Sequence, residues 1–382
     1  MSTSPASPPR QQLYLLESWR GFGCIAVVLH HIGAIGARGP QAEYFGGFFQ
    51  PGHLWLDFFF VLSGFLIAWL HAGDVGRAGR AGPFLLKRFL RTWPLLCILT
   101  TVKFAALLAL VTGGSNRGEL DLQQIVSSYL MLPMEEGYPL ILAAWTMPYE
   151  VTFYVFFATL MLMSRRWLVL LAGLWAAAIV LCHLLLPADS VAFPGSFYLN
   201  PYHLQTLGGM AVGLLLKRVP PGRYGGPVLA AGILLLACGL LGYVPHLAWT
   251  PLGKRAFWGL VFCILIAGSV LYEMGRTAPL RLPWLLRLMG RASYSVYLVH
   301  SPIIVVLLGA LGSRGWLHGV WKEVWMTAAG LVGVLAGLAC HQWLEKPLLT
   351  LTQQWVKRPQ PDRARTQDGD EHDPSGHHRG AE

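Results

Sequence analysis

The chain has 382 residues, of which 54% are hydrophobic and only 13% charged, and it carries a net charge of +10. Soluble domains carry about 25% charged residues. So charge-poor a chain, with repeated apolar runs of about 20 residues, excludes an ordinary soluble enzyme and reads as an all-α polytopic membrane protein. All six cysteines (Cys24, Cys97, Cys182, Cys238, Cys263 and Cys340) lie in apolar segments without CxxC spacing. They read as small buried hydrophobes, so neither disulfides nor a metal site is expected.

In chain order, the first 12 residues, MSTSPASPPRQQ, form a polar tail without the pattern of a cleavable signal. Ten apolar spans follow, at about 13–36, 53–72, 89–112, 141–163, 167–186, 197–216, 226–244, 256–274, 292–312 and 322–343. The longest loop, 113–140, contains GELDLQQIVSSYLML, which reads as a helix lying at the membrane interface. The membrane domain is expected to end near residue 350. Beyond it a polar, disordered cytoplasmic tail (351–382) holds His372, His377 and His378, which read as solvated.

Lys and Arg distribution sets the orientation. With a cytoplasmic N-terminus, 21 cations fall on the inner side and six on the outer, while Arg20 and Lys103 lie within spans. Both termini are therefore expected in the cytoplasm. The basic charge is topogenic, and no nucleic-acid groove is expected.

The first span holds the most unusual residues. ESWRGFGCIAVVLHH (17–31) places an acid, an arginine and two histidines in an apolar helix, where ionisable groups mark functional sites by default. Arg20 and His31 are eleven residues apart, so on a helix they share a face, about 20° apart and about 16 Å along the axis. His30 points about 100° away and receives no role. Glu17 reads as an orienting partner for Arg20.

In the second span, WLDFFFVLSGF sets Asp57 near the outer edge and Ser63 in a small-residue stretch suited to close helix packing. FLLKRFLRTWP puts Arg88 and Arg91 on one helix face near the depth of Arg20. Three guanidiniums suit bidentate phosphate binding, although positive-inside flanking accounts for most such arginines. WTMPYEVTFY sets Glu150 a few turns below the outer surface. His31, Glu150 and Asp57 are expected to meet in one layer, where a carboxylate supports an imidazole base. The competing reading of such a histidine is a helix-packing hydrogen bond. SYSVYLVHSP carries Tyr297 and His300 on one face of the ninth span, and in WLEKP Glu345 reads as a structural ion pair with Lys346.

These pieces, in this order over about residues 12–350, resemble the acyltransferase 3 family of integral membrane acyltransferases. The resemblance rests on ESWRG with His31 eleven residues after Arg20, LDFFFVLSGFLI, Arg88-x-x-Arg91 followed by Pro94, WTMPYEVTFY, SYSVYLVHSP and WLEKP. It implies about ten helices in a plasma (inner) membrane, moving an acyl group, commonly acetyl from cytoplasmic acetyl-CoA or another short acyl-CoA, to a hydroxyl of a glycan or lipid-linked saccharide. It makes His31 the catalytic histidine, and Arg20, Arg88 and Arg91 essential around the CoA phosphates. Glu150 becomes the acid before the Phe153–Tyr154 pair, which adds Tyr154 to the candidates. Some members carry a fused periplasmic hydrolase-like domain, which is not expected in a chain that ends so soon after the tenth span. His31 as general base and a covalent acyl-His31 route both remain open. So do two rival functions, a transporter of lipid-linked sugar (or proton-coupled carrier) and an acyltransferase acting on a small-molecule antibiotic sugar. The transporter lacks support from any internal repeat.

Overall fold

A computed structural model describes residues 13–36, 44–112, 121–187, 190–220, 224–243, 250–278, 280, 282–319 and 321–357. The N-terminal tail, the stretch from 358 on with its three histidines, and Arg10, Arg38, Arg117, Arg223 and Arg281 of the charge count lie outside the described residues. The described chain is all helix and turn. Its helices are α1 (Tyr14–Gly36), α2 (Trp55–His71), α3 (Ala81–Thr112), α4 (Leu122–Leu130), α5 (Met147–Leu162), α6 (Arg165–Leu185), the single turn α7 (Gly195–Tyr198), α8 (Tyr202–Leu216), α9 (Gly225–Leu240), α10 (Pro251–Met274), α11 (Trp284–Ser313) and α12 (Trp321–Cys340). A π-helical turn, His341–Glu345, then leads into α13 (Lys346–Lys357), which carries helix past the expected domain boundary.

Each of the ten expected spans coincides with a helix, and among the described residues six helical stretches are long and apolar enough to cross a membrane by themselves: Gln50–Asp74, Ala78–Ala109, Arg165–Leu185, Pro251–Met274, Trp284–Ser313 and Trp321–Gln354. The shorter ones have clear physical reasons. Helices α5, α8 and α9 have 16, 15 and 16 residues, about 24 Å of rise against a hydrocarbon core of about 30 Å. Helix α1 is long enough, but Glu17, Arg20, His30 and His31 dilute its hydropathy. Helix α3 starts eight residues before its expected span. Its first turns hold Lys87, Arg88 and Arg91 among apolar residues; Lys87 is exposed, while Arg88 and Arg91 line an internal cavity. In the 113–140 loop, α4 forms as expected, its N-terminus capped by Asp121 accepting from the Gln123 and Gln124 amides.

Close backbone approaches hold the bundle, two of them beside the site; a third joins α9 to α10 at Gly225 and Gly268. A Cβ on Gly64 of α2 would lie 1.9 Å from the Thr206 carbonyl oxygen of α8, and one on Gly209 would lie 1.9 Å from that of Val61. Likewise Gly21 of α1 faces the Leu286 carbonyl at 2.1 Å and Gly290 of α11 faces that of Glu17 at 2.0 Å. Small residues at both sides of each contact let the helices pack backbone to backbone, which is how helices associate where lipid provides no hydrophobic drive. The SGF stretch therefore packs as its sequence suggests. Helix α1 contacts α11 from Glu17–Gly290 to Gly36–Leu308 in the same sense along both chains. The two helices run parallel, as the seven expected spans between them require.

Gly209→Ala should push α8 off the Val61 carbonyl and cost about 1–3 kcal/mol, as overpacking does. The expected readout is a lower Tm of the detergent-solubilised protein. Gly173→Ala in α6, where a Cβ would meet open space, serves as the comparison and should not lower Tm.

Candidate active site

The parallel pair α1 and α11 is joined by two polar rungs. At the lower rung, Arg20 Nη2 donates to Ser293 Oγ at 2.8 Å, and Ser293 Oγ donates onward to the Gly290 carbonyl at 3.0 Å. At the upper rung, His31 Nδ1 and His300 Nε2 lie 2.7 Å apart. The rungs are eleven residues apart on α1 and seven on α11, and the long Arg20 side chain takes up the difference.

Chemistry fixes the direction of the upper rung. His300 is fully buried, and its Nδ1 lies 2.7 Å from the Val296 carbonyl oxygen. A carbonyl only accepts, so His300 Nδ1 carries the proton and Nε2 of the neutral ring accepts. His31 must then donate from Nδ1, and its Nε2 keeps a lone pair. One backbone carbonyl thus sets the tautomers of both rings.

Below this rung lies a cavity of about 1120 Å³, part of it open to solvent. Arg20, Cys24 and Val27 form its α1 wall, a stripe whose next member is His31, one turn beyond. On α11 the wall ends at Tyr297, whose ring centroid is 6.2 Å from that of His300. The cavity therefore stops one turn short of the imidazole pair, with Tyr297 between them. Tyr297 Oη is held 3.1 Å from Thr146 Oγ1.

The arginines converge as their spacing suggests: Arg20, Arg88 and Arg91 all line this cavity, together with Ser63, Glu150 and Tyr154. The Arg88 guanidinium sits 5.5 Å from the Phe84 ring centroid and 5.6 Å from that of Tyr154. Tyr154 in turn donates its hydroxyl proton to Glu150. Helix α3 is tied to α11 where Tyr294 donates to the Thr92 carbonyl at 2.7 Å. Glu150 is the carboxylate in the lining, while Glu17 and Glu345 act on Arg20 from outside it, and the three guanidiniums still supply the cavity with donors for an anion.

Several expectations need correction. Glu150 and Asp57 were expected beside His31, and no hydrogen bond or ion pair among the described residues joins either of them to it. Glu150 belongs to the arginine cavity. Asp57 is fully buried and engaged by Arg255 Nη1, at 2.9 Å to Oδ1 and 2.8 Å to Oδ2, and by the Gln205 amide. It is the anchor of α10 on α2, with Arg255 stacked 4.2 Å above the Tyr202 ring. Glu17 pairs with Arg291 at 3.6 Å and also attracts Arg20 electrostatically, while the Arg20 hydrogen bond goes to Ser293. Glu345 does not pair with Lys346, because the π-turn rotates it inward. There it accepts from Ser295 Oγ and His341 Nδ1, both at 2.6 Å, while Lys346 turns to Gln342. His30, given no role, lies with its ring 5.4 Å from His31 and 5.3 Å from His53. Ser293 was missed altogether. Its one sequence signal is that it lies seven residues before His300, on the same helix face.

The segment 144–150 separates two spaces. Thr146, Met147 and Glu150 face the arginine cavity, while Ala144, Trp145, Pro148 and Tyr149 line a second one, about 590 Å³, with Ser127, Ser128 and Tyr138 on its far side.

Against known proteins, the family described as "Acyltransferase domain" matches residues 13–341. The "Exopolysaccharide production protein ExoZ" of Rhizobium meliloti (strain 1021) is 32% identical over 317 residues, covering 81% of this chain and 93% of that protein. No solved structure matches the chain.

The corrected role of Asp57 has a direct consequence. Asp57→Ala leaves Arg255 without its buried counter-charge, which should cost about 3–5 kcal/mol and appear as loss of folded protein in size-exclusion of the detergent extract. Arg255→Met in the same background should recover part of that loss.

Proposed function

The chain belongs to the acyltransferase 3 family and is a multi-pass membrane acyltransferase, and from that premise we propose that it O-acetylates an exported or lipid-linked polysaccharide with cytoplasmic acetyl-CoA. The observation that carries this reading is the His31–His300 rung one turn beyond a cavity lined by three arginines. One end of the site suits the phosphates of a CoA donor and the other suits proton transfer. The name of the relative, a protein of exopolysaccharide production, supports a polysaccharide acceptor. Membership of an enzyme family sets the transporter reading aside.

In this proposal the protein lies in the plasma membrane with both termini cytoplasmic and residues 13–350 as one membrane domain. Arg20, Arg88 and Arg91 hold the CoA phosphates, with Glu150 and Tyr154 positioning Arg88. The acyl donor supplies a thioester carbonyl at the His31 end of the cavity. The helical rise of about 16 Å between Arg20 and His31 matches a donor gripped at one level and reacting at the other.

His31 Nε2 removes the proton of the acceptor hydroxyl as its oxygen attacks the thioester carbon. The new C–O ester bond forms as the C–S bond breaks, and His31 returns the proton to the departing sulfur. Throughout, His31 Nδ1–H stays on His300 Nε2, which orients the ring and stabilises the imidazolium. His300 thereby takes the supporting place first expected of Glu150.

His31→Ala should abolish transfer of radiolabelled acetyl from acetyl-CoA to extracted polysaccharide while the protein remains inserted in the membrane. His300→Ala should lower kcat by about 10²-fold, within the range of lost acid–base assistance, with little change in the KM for acetyl-CoA. Wild-type turnover in either variant would contradict the assigned base. Arg88→Ala should act on the KM for acetyl-CoA, and an effect confined to kcat would speak against phosphate binding.

A further inference from the structure

Beyond His31, on the side away from the arginine cavity, the chain gathers a second group of basic side chains. His30 is followed by His53, ring to ring at 5.3 Å. His53 Nδ1 donates to the Gln50 carbonyl at 2.8 Å, so its Nε2 accepts, and Lys254 Nζ lies 3.5 Å from it. The buried Nδ1 of His30 makes no hydrogen bond of good geometry, although the Gln50 carbonyl that His53 bonds also lies near the His30 ring. Arg255 follows Lys254, and Asp57, the one carboxylate among the cluster's described residues, has both oxygens bonded to Arg255.

This arrangement is built rather than incidental. A Cβ on Gly52 would lie 2.1 Å from the Ala26 carbonyl oxygen and 3.0 Å from His30 Cβ. The short helical turn Gln50–Leu54 is therefore pressed onto α1, and His53 is fixed against His30. Lys254 stands in the first turn of α10, whose Thr250 cap accepts from the Gly253 amide. A cation is disfavoured there, since the helix dipole places partial positive charge at its N-terminus. Arg255 is compensated by Asp57. Among the described residues Lys254 bonds only a neutral imidazole nitrogen, and it shares the field of Asp57 with Arg255, so two cations face one carboxylate and the excess positive charge suits an anion from outside the chain.

Resting on the acyl-transfer reading above, we propose that the acceptor is an anionic saccharide, and that Lys254, with His53 and His30, binds a carboxylate of that saccharide close to the hydroxyl acylated at His31. The sequence from cleft to surface then has three stations: guanidiniums for the donor, the His31–His300 rung for the proton, and Lys254 with its imidazoles for the acceptor's charge. The geometry also explains why His30 adjoins His31 although it faces another way around α1. It borders the acceptor side of the reacting centre.

The test uses the full-length protein in nanodiscs with acetyl-CoA and two acceptors, a neutral oligosaccharide and the same oligosaccharide carrying one uronic acid. The ratio of kcat/KM for the acidic over the neutral acceptor is the readout. In the wild type it should be about tenfold, equivalent to about 1.4 kcal/mol, and it should shrink as salt is raised. Lys254→Ala should collapse the ratio towards one through KM for the acidic acceptor, and Lys254→Arg should keep it. Equal use of both acceptors by the wild type overturns the proposal. So does a Lys254→Ala effect that falls on kcat for both alike. Transfer to neither acceptor, with acetyl-CoA binding intact, overturns the polysaccharide reading itself, and the proposal with it.

Discussion

Polar groups inside a bilayer must find their partners within the protein, and α1 brings Arg20, His30 and His31 into the apolar bundle at once. The rest of the architecture follows from that demand. Helix α11 runs parallel to α1 at backbone contact, so that Ser293 meets Arg20 and His300 meets His31. Helix α10 approaches α2 because Asp57 and Arg255 bring each other into the interior. Each close helix pair supplies the polar partner that its neighbour lacks, and the reactive imidazole is oriented by the same bond that satisfies it.

Axial position was legible in the sequence and azimuth was not. The eleven-residue interval from Arg20 to His31 and the three-residue interval from Arg88 to Arg91 each fix a helix face, and depth from the span ends sets their level. That suffices to bring the three arginines to one cavity. It cannot say which of two helices at the same depth is the neighbour. Glu150 and His31 were matched by depth, but α5 turns its carboxylate towards α3, and α11 reaches His31 first. Asp57 likewise turns to a partner that depth alone does not reveal, Arg255, which lies 198 residues away in sequence.

A different kind of signal was missing at the C-terminal end. Glu345 is adjacent to Lys346, and adjacency suggested a pair. The π-turn at His341–Glu345 inserts extra backbone into the last turn of α12 and swings the carboxylate inward to Ser295 and His341. Such turns have no reliable residue signature, yet they cluster where a helix must place a side chain off its regular face. The fold class, by contrast, needed only the count and length of apolar runs, because a bilayer leaves few alternatives to the helix.

The glycine contacts divide the arginine cavity into a hard side and a soft side. Helix α1 meets α11, and α2 meets α8, with glycine against backbone carbonyl, so no rotamer change can widen the spacing within either pair. Helices α3 and α5 meet through rings, Phe84 against Tyr154 and Phe157, and the apolar stretch of α3 is 22% buried against 61% for that of α2. Breathing of the site is therefore carried by one wall, the one bearing Arg88, Arg91 and Glu150. The rungs of α1 and α11 stay put as a reference frame. A lineage adapting this chassis to a bulkier acyl chain would find its freedom in the α3–α5 seam, and would have to leave the imidazole pair where it is.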